Sequence, residues 1–184
     1  MIDNDKAKLK LDSLHDRHVG LTQSLSGTFF EAASVCLGRH HDSPVDIAIT
    51  HTKGESVRAA EFQKPDVRMS NAWANDIDTT EFGAYGVCLA AVELEESLVA
   101  VRRAETLTGA DWYVAPIGTS IEDLEGCLRL EVSGIDAGGK SVMETRLKKK
   151  VEQTKRGASN LPAIASVVAF KERAIVIQRV GEGE

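Results

Sequence analysis

No run of about 18 uncharged apolar residues occurs anywhere in this chain, which excludes a membrane-spanning helix on sequence grounds. The first residues, Met1-Ile2-Asp3-Asn4-Asp5-Lys6, carry no apolar core of the kind a secretory leader needs, so a cytoplasmic location is expected. Cysteine is scarce and odd in number: Cys36, Cys88 and Cys127 lie far apart in apolar segments and are expected to be buried reduced thiols, not a disulfide, a zinc site or a nucleophile. Positive charge is also lacking. Twenty-two Lys and Arg against 28 Asp and Glu give a formal net charge of −6, so any anionic partner must meet a local basic patch. Internal repeats, low-complexity segments, a Gly-x-Ser-x-Gly elbow and a Cys/His nucleophile pair are absent.

What remains is the composition of a soluble globular protein: 184 residues, 42% hydrophobic and 27% charged, enough for one sizeable core. Leu21, Leu25, Phe29, Ala32, Ala33, Cys36 and Leu37 recur at helical spacing and predict a helix over 21–37, stopped by Gly38. Val45, Ile47 and Ile49 alternate with polar residues, Lys53-Gly54 offers a turn, and Val57–Phe62 reads as the returning strand of a hairpin. Residues 63–75, with Pro65, read as an irregular connection. A second helix is expected to begin near Asp78, Thr79 or Thr80 and to run to about Glu96. Strands over 98–104, 110–117 and 127–135, a helix over 141–156 and strands over 163–170 and 174–180 complete the chain. The expected class is α/β with a mixed sheet, divided into an N-terminal helix-and-hairpin extension, 1–75, packed on a core, 76–184.

Two patterns carry possible chemistry. Gly134-Ile135-Asp136-Ala137-Gly138-Gly139-Lys140-Ser141 satisfies the phosphate-cradling G-x-x-x-x-G-K-[ST] pattern between a strand and a helix. Against it, Leu128-Arg129-Leu130-Glu131-Val132-Ser133 alternates as a half-exposed strand does, and too few residues follow to build a nucleotide-hydrolysing sheet. The second pattern is acidic. Asp111 near the start of one strand and Glu131 in the next can hold one magnesium ion between neighbouring antiparallel strands, and Glu81 on the preceding helix can add a third carboxylate. Ser133, two residues beyond Glu131, shares its sheet face.

This arrangement resembles the PD-(D/E)xK nuclease superfamily, the restriction-endonuclease-like fold, whose core runs α-β-β-β-α-β with Asp on the second strand, Glu-x-Lys on the third and often Glu on the first helix. The resemblance covers 78–180 and leaves the first 75 residues unexplained. It implies that Glu81, Asp111 and Glu131 bind Mg²⁺ or Mn²⁺, and that Gln153 matches a Gln carried by several branches on the next helix. It also implies a phosphodiesterase acting on DNA. Ser133 stands where the family has its lysine; either that role has moved, with Lys148 or Lys140 the nearest candidates, or this copy no longer cuts and is a silent interaction or assembly module, binding a second copy or another protein.

Lys140, Lys149, Lys155 and Arg156, with Arg146, Lys148 and Lys150, make the helix over 141–156 the most basic stretch and the expected DNA-contacting surface. His40-His41 reads as a loop pair, and His15 and His18 lack a third ligand. Trp73, Trp112 and Tyr113 read as packing residues.

Overall fold

The structure is a computed structural model that describes residues 7–119, 124–157 and 159–181. Its α-helices are α1 (Gln23–Gly38), α2 (Val67–Ala72), α3 (Asp76–Glu96) and α4 (Lys140–Lys155), with a 3-10 turn at Leu14–Asp16. Its strands are β1 (Val45–His51), β2 (Gly54–Ala60), β3 (Leu98–Arg103), β4 (Trp112–Pro116), β5 (Leu128–Ile135), β6 (Ala163–Ala169) and β7 (Ala174–Val180). All seven strands form one mixed sheet in the order β2-β1-β7-β6-β5-β4-β3. β3, β4 and β5 make an antiparallel meander, and α4 carries the chain across to β6, which lies parallel to β5. β7 returns antiparallel to β6 and pairs parallel with β1, so the early hairpin extends the same sheet.

The layers follow from the alternation of the strands. Leu128, Leu130 and Val132 of β5 join Ile164, Val168, Ile175 and Ile177 in the large core beneath α1 and α3, which also holds Leu9, Leu11, Phe29 and Trp112. The opposite face is covered by α4, whose Met143 meets Ile135, Val167 and Ala169. The boundary expected between 1–75 and 76–184 therefore falls just before α3, and both sides of it share one sheet and one core. No helix among the described residues is long and apolar enough to cross a membrane.

Most elements lie where their periodicity puts them, with two differences. The 63–75 stretch is not wholly irregular: Asp66 accepts a 2.7 Å hydrogen bond from the Met69 amide and caps the short helix α2. α3 begins earlier than expected because Asn75 Oδ1 takes the Ile77 and Asp78 amides, and Thr79, an expected cap, instead turns its hydroxyl back onto the Asn75 carbonyl at 2.6 Å. None of the three buried cysteines forms a disulfide among the described residues, and burial pushes the Cys36 and Cys88 thiols up to about 12, leaving them inert near neutral pH.

β5 also departs from its sequence pattern. Arg129, Glu131 and Ser133 alternate with apolar residues, yet all are buried, at 5%, 3% and 7% exposure. The strand is central and the polar face lies under α4, so alternation here marks a buried polar face and not a solvated one.

Candidate active site

β4 and β5 are paired from Val114–Leu128 to Trp112–Leu130, and past that last pair they part. Beyond that point the Val132 amide has no rung partner on β4, and Asp111 Oδ2 accepts it at 2.8 Å. The Asp111 backbone is fixed by its own amide, which donates to Leu130 O at 2.8 Å. A cleft of about 850 Å³ opens there, with Asp111, Glu131 and Glu81 in its wall.

Glu131 is the most buried of the three acids. Its Oε1 accepts hydrogen bonds from Lys150 Nζ at 2.5 Å and Gln153 Nε2 at 2.8 Å. Burial and then the neighbouring Asp111 charge push the Glu131 carboxyl above the ordinary range, against the lowering effect of Lys150. Two carboxylates with an ammonium beside them are thus held close in a partly desolvated wall.

Glu81 joins through a phenol. The Tyr85 hydroxyl lies 2.8 Å from both Glu81 Oε1 and Asp111 Oδ1, so those two oxygens are no further apart than the two hydrogen bonds laid end to end. Tyr85 has one proton to donate, and burial, then the Asp111 charge, raise its pKa and keep it protonated. Arg103 Nη2 donates to the same hydroxyl at 3.0 Å and stands 3.7 Å from Asp111 Oδ1. Its guanidinium covers the Tyr85 and Trp112 rings at 4.6 and 5.0 Å. A bulge places it there. The β3–β4 register skips Val101, so Arg103 pairs opposite Trp112 and turns to the α3 side.

The helix α4 supplies the cations at spacing that sequence alone did not single out. Arg146, Lys150 and Gln153 follow at i, i+4 and i+7 and meet Ser133 Oγ (3.2 Å), Glu131 and Glu131 respectively. Lys148, two residues from Lys150 and so about 200° around the helix, is exposed and does not line the cleft. Lys140 and Lys149 are likewise exposed and outside it, as is Lys155, whereas Gln153 and Arg156 line it. Glu81, Asp111, Glu131 and Gln153 are therefore brought together, and Lys148, Lys140, Lys149 and Lys155 are not. Tyr85 and Arg103 line the cleft without having been singled out from the sequence, and Arg146 and Lys150, expected only as part of a basic helix surface, line it too. For Lys150 the signal existed, in its four- and three-residue spacing from Arg146 and Gln153.

Hard oxygens available to a cation are the carboxylates of Asp111 and Glu131. Among the described residues no group of three or more His, Cys, Asp or Glu side chains stands at metal-binding range. A carboxylate pair is nevertheless a sufficient protein contribution for magnesium, which keeps waters and takes substrate oxygens as its other ligands. Burial and, after it, the Asp111 charge raise Glu131, and a cation between the two acids offsets both.

The glycine-rich segment has packing work. A Cβ on Gly134 would stand 2.4 Å from Thr80 O, so this glycine lets α3 lie against β5. Gly139 precedes α4 as its cap, and its carbonyl accepts the Val142 amide at 3.0 Å. Elsewhere, His40 Nε2 meets Asp136 Oδ1 at 3.1 Å and His41 Nε2 donates to Phe170 O at 2.9 Å. His18 is buried, accepting the Ala100 amide at Nδ1 (2.9 Å) and facing Glu93 with Nε2 (3.2 Å). Trp112 is buried edge-on to Phe29, Trp73 packs edge-on to Phe82, and Tyr113 lies in a small cluster with Val101, Ala115 and Cys127.

No protein-family model matches this chain, and no curated protein and no solved structure matches it.

Proposed function

We propose that residues 76–184 form a restriction-endonuclease-like core carrying a metal-dependent phosphodiesterase site that acts on DNA. The carrying observation is the cluster of Asp111, Glu131, Lys150 and Gln153 at the point where β4 and β5 part. In support, α3-β3-β4-β5-α4-β6 has the family's order, with a meander of three strands and a parallel fourth strand reached through a helix.

In this reading Asp111 and Glu131 hold Mg²⁺ or Mn²⁺, which when bound supplies Lewis acidity toward water and a phosphate oxygen. Lys150 takes the part of the family's strand lysine: its ammonium reaches Glu131 from the helix, so the charge arrives at the same carboxylate although Ser133 occupies the strand position. There it orients the attacking water and stabilises charge developing on the phosphate. Gln153 fixes the Glu131 rotamer. Tyr85 holds Asp111 and Glu81 in one arrangement, and Arg103, desolvated on one side by two rings, faces the phosphate.

The test is incubation of purified protein with supercoiled plasmid and with single-stranded oligonucleotides, with Mg²⁺, Mn²⁺ or chelator. Cleavage that needs the metal and disappears in Asp111→Asn supports the reading. Substrates left intact across enzyme concentrations and divalent metals, with no metal-dependent shift in melting temperature, reject it in favour of the silent interaction module.

A further inference from the structure

Three large apolar side chains stand out from the described surface: Leu107 at 86%, Val67 at 78% and Ile77 at 77% exposure. Two of them, Leu107 and Ile77, line the cleft that holds Asp111 and Glu131. They come from separate elements, the β3–β4 connection and the first turn of α3. Scattered single exposed apolar residues are ordinary; two projecting at the mouth of one charged cleft form a local apolar contact surface.

The Leu107 loop is held and not loose. Arg129, buried beneath it, donates from Nη1 to Thr108 O at 2.9 Å and to Thr154 O at 3.1 Å, tying the loop to the end of α4. Thr108 Oγ1 donates to Glu105 O at 2.8 Å, and Tyr113 OH donates to Glu105 Oε2 at 3.1 Å. Within this framework Leu107 sits at φ +72°, a left-handed conformation costly for a branched side chain. A strained, anchored loop thus presents its leucine to solvent.

The charge around the cleft narrows the ligand. Its lining side chains include five carboxylates and four cations, and the whole chain carries −6, so attraction to phosphate cannot by itself supply the affinity. The most basic stretch of α4 places Lys148 and Lys149 outside the cleft. A volume of about 850 Å³ is that of a site enclosing a small ligand or a few nucleotides. A paired duplex keeps its base faces stacked and offers such a site phosphates, sugars and groove edges, whereas an unpaired strand also offers base faces for apolar contact.

We infer that the cleft takes an unpaired nucleic-acid strand, with Leu107 and Ile77 packing against its bases while Arg103, Arg146 and Arg156 meet its phosphates. The inference rests on the phosphodiesterase reading of the same site and specifies its substrate class.

The experiment measures binding by fluorescence anisotropy, with Mg²⁺ present and in Lys150→Ala so that bound strands stay whole. The probes are a labelled single-stranded DNA, the same sequence as RNA, and the DNA annealed to its complement. Either single strand binding about tenfold or more tighter than the duplex supports the inference, and the tighter of the two identifies the sugar. The double variant Leu107→Ser/Ile77→Ser should weaken single-strand binding about tenfold with an unchanged salt slope and melting temperature, and Arg156→Ala should reduce the salt slope by about one. Duplex binding as tight as single-strand binding, no binding to any probe, or unchanged affinity in the double variant overturns it. Failure of the wild type to cut any strand while the preference for single strands persists rejects the phosphodiesterase reading and leaves this one standing.

Discussion

Lys150 reaches Glu131 from α4 across the face of the sheet, its Nζ 2.5 Å from Oε1, while Ser133, the neighbour of Glu131 on the same strand face, turns to Arg146 instead. In the proposed phosphodiesterase site, the charge that the strand lysine would carry is supplied one layer above the strand. Lys150→Ala should therefore lower DNA cleavage by about 100-fold or more, the cost typical of losing one well-placed stabiliser of transition-state charge. Lys148→Ala, on the solvent side of α4, should leave the rate unchanged. Initial cleavage rates of the two variants and wild type, on single-stranded oligonucleotide and on supercoiled plasmid, check this; equal losses would remove Lys150 from the site.

Gly134 and Gly27 make opposite demands on alanine. A Cβ at Gly134 meets the Thr80 carbonyl at 2.4 Å and Ala84 Cβ at 3.0 Å, so α3 must lift from β5 and carry Glu81 and Tyr85 with it. Gly134→Ala should cost about 1–3 kcal/mol, visible as a melting temperature lower by several degrees. Gly27 lies on the exposed side of α1 with nothing within 4 Å of its Cβ, and Gly27→Ala should raise stability by about 0.5–1 kcal/mol. If Gly134→Ala melted with wild type, close packing would not be the reason for glycine there.

The elements were legible where periodicity was strong. The helix ending near Leu37, the Val45–Ile49 strand and the strand–helix–strand run from Leu128 to Ala169 were each predicted within a few residues of where they lie. The proximity of Asp111 and Glu131 was legible because they were tied to two successive strands, and that of Glu81 because it was tied to the preceding helix. Three things were not. The sparse apolar positions of α4 left its inward face ambiguous, so Lys148 or Lys140, not Lys150, were the expected stand-ins for the strand lysine. The bulge at Val101, which turns Arg103 toward Tyr85 and Trp112, leaves no mark in composition. Tyr85 was hidden among the apolar residues of a helix, since a buried phenol reads as core until its hydroxyl partners are known.

Tyr85→Phe isolates that hydroxyl. The ring keeps its contacts with Phe29, Phe82 and Trp112, so the core loses no volume, but Glu81 and Asp111 lose the group between them. The melting temperature should change little, while on the proposed phosphodiesterase reading cleavage falls about tenfold and a higher metal concentration is needed for half-maximal rate. A metal titration of the rate separates these effects. An unchanged titration would make Tyr85 a packing residue with an incidental hydroxyl.

Glu131 and Glu95 should respond to pH with opposite sign. Burial, then Asp111, raises the folded Glu131 carboxyl above its unfolded value, so the folded chain holds that proton more tightly. As pH rises from the ordinary glutamate value, about 4.3, through the folded one, the unfolded chain releases its proton first and stability falls. Glu131→Gln removes this loss. It should melt above wild type at pH 7 without divalent metal and converge with it near pH 4, while Mg²⁺ should raise the wild-type melting temperature and leave the variant's unchanged. At Glu95, burial acts upward but is outweighed by hydrogen bonds from Arg58 (2.6 Å) and Ser56 (2.8 Å), and the folded carboxyl is lowered. Its contribution is present above the unfolded value and is lost as pH falls through the folded one, so Glu95→Gln should melt below wild type at pH 7 and approach it in acid. Thermal melts of the two variants from pH 3 to 8 provide the comparison. A Glu131→Gln that is less stable than wild type at neutral pH would mean that the Lys150 pair outweighs the repulsion from Asp111, and the site would then be held together by its ion pair before any cation arrives.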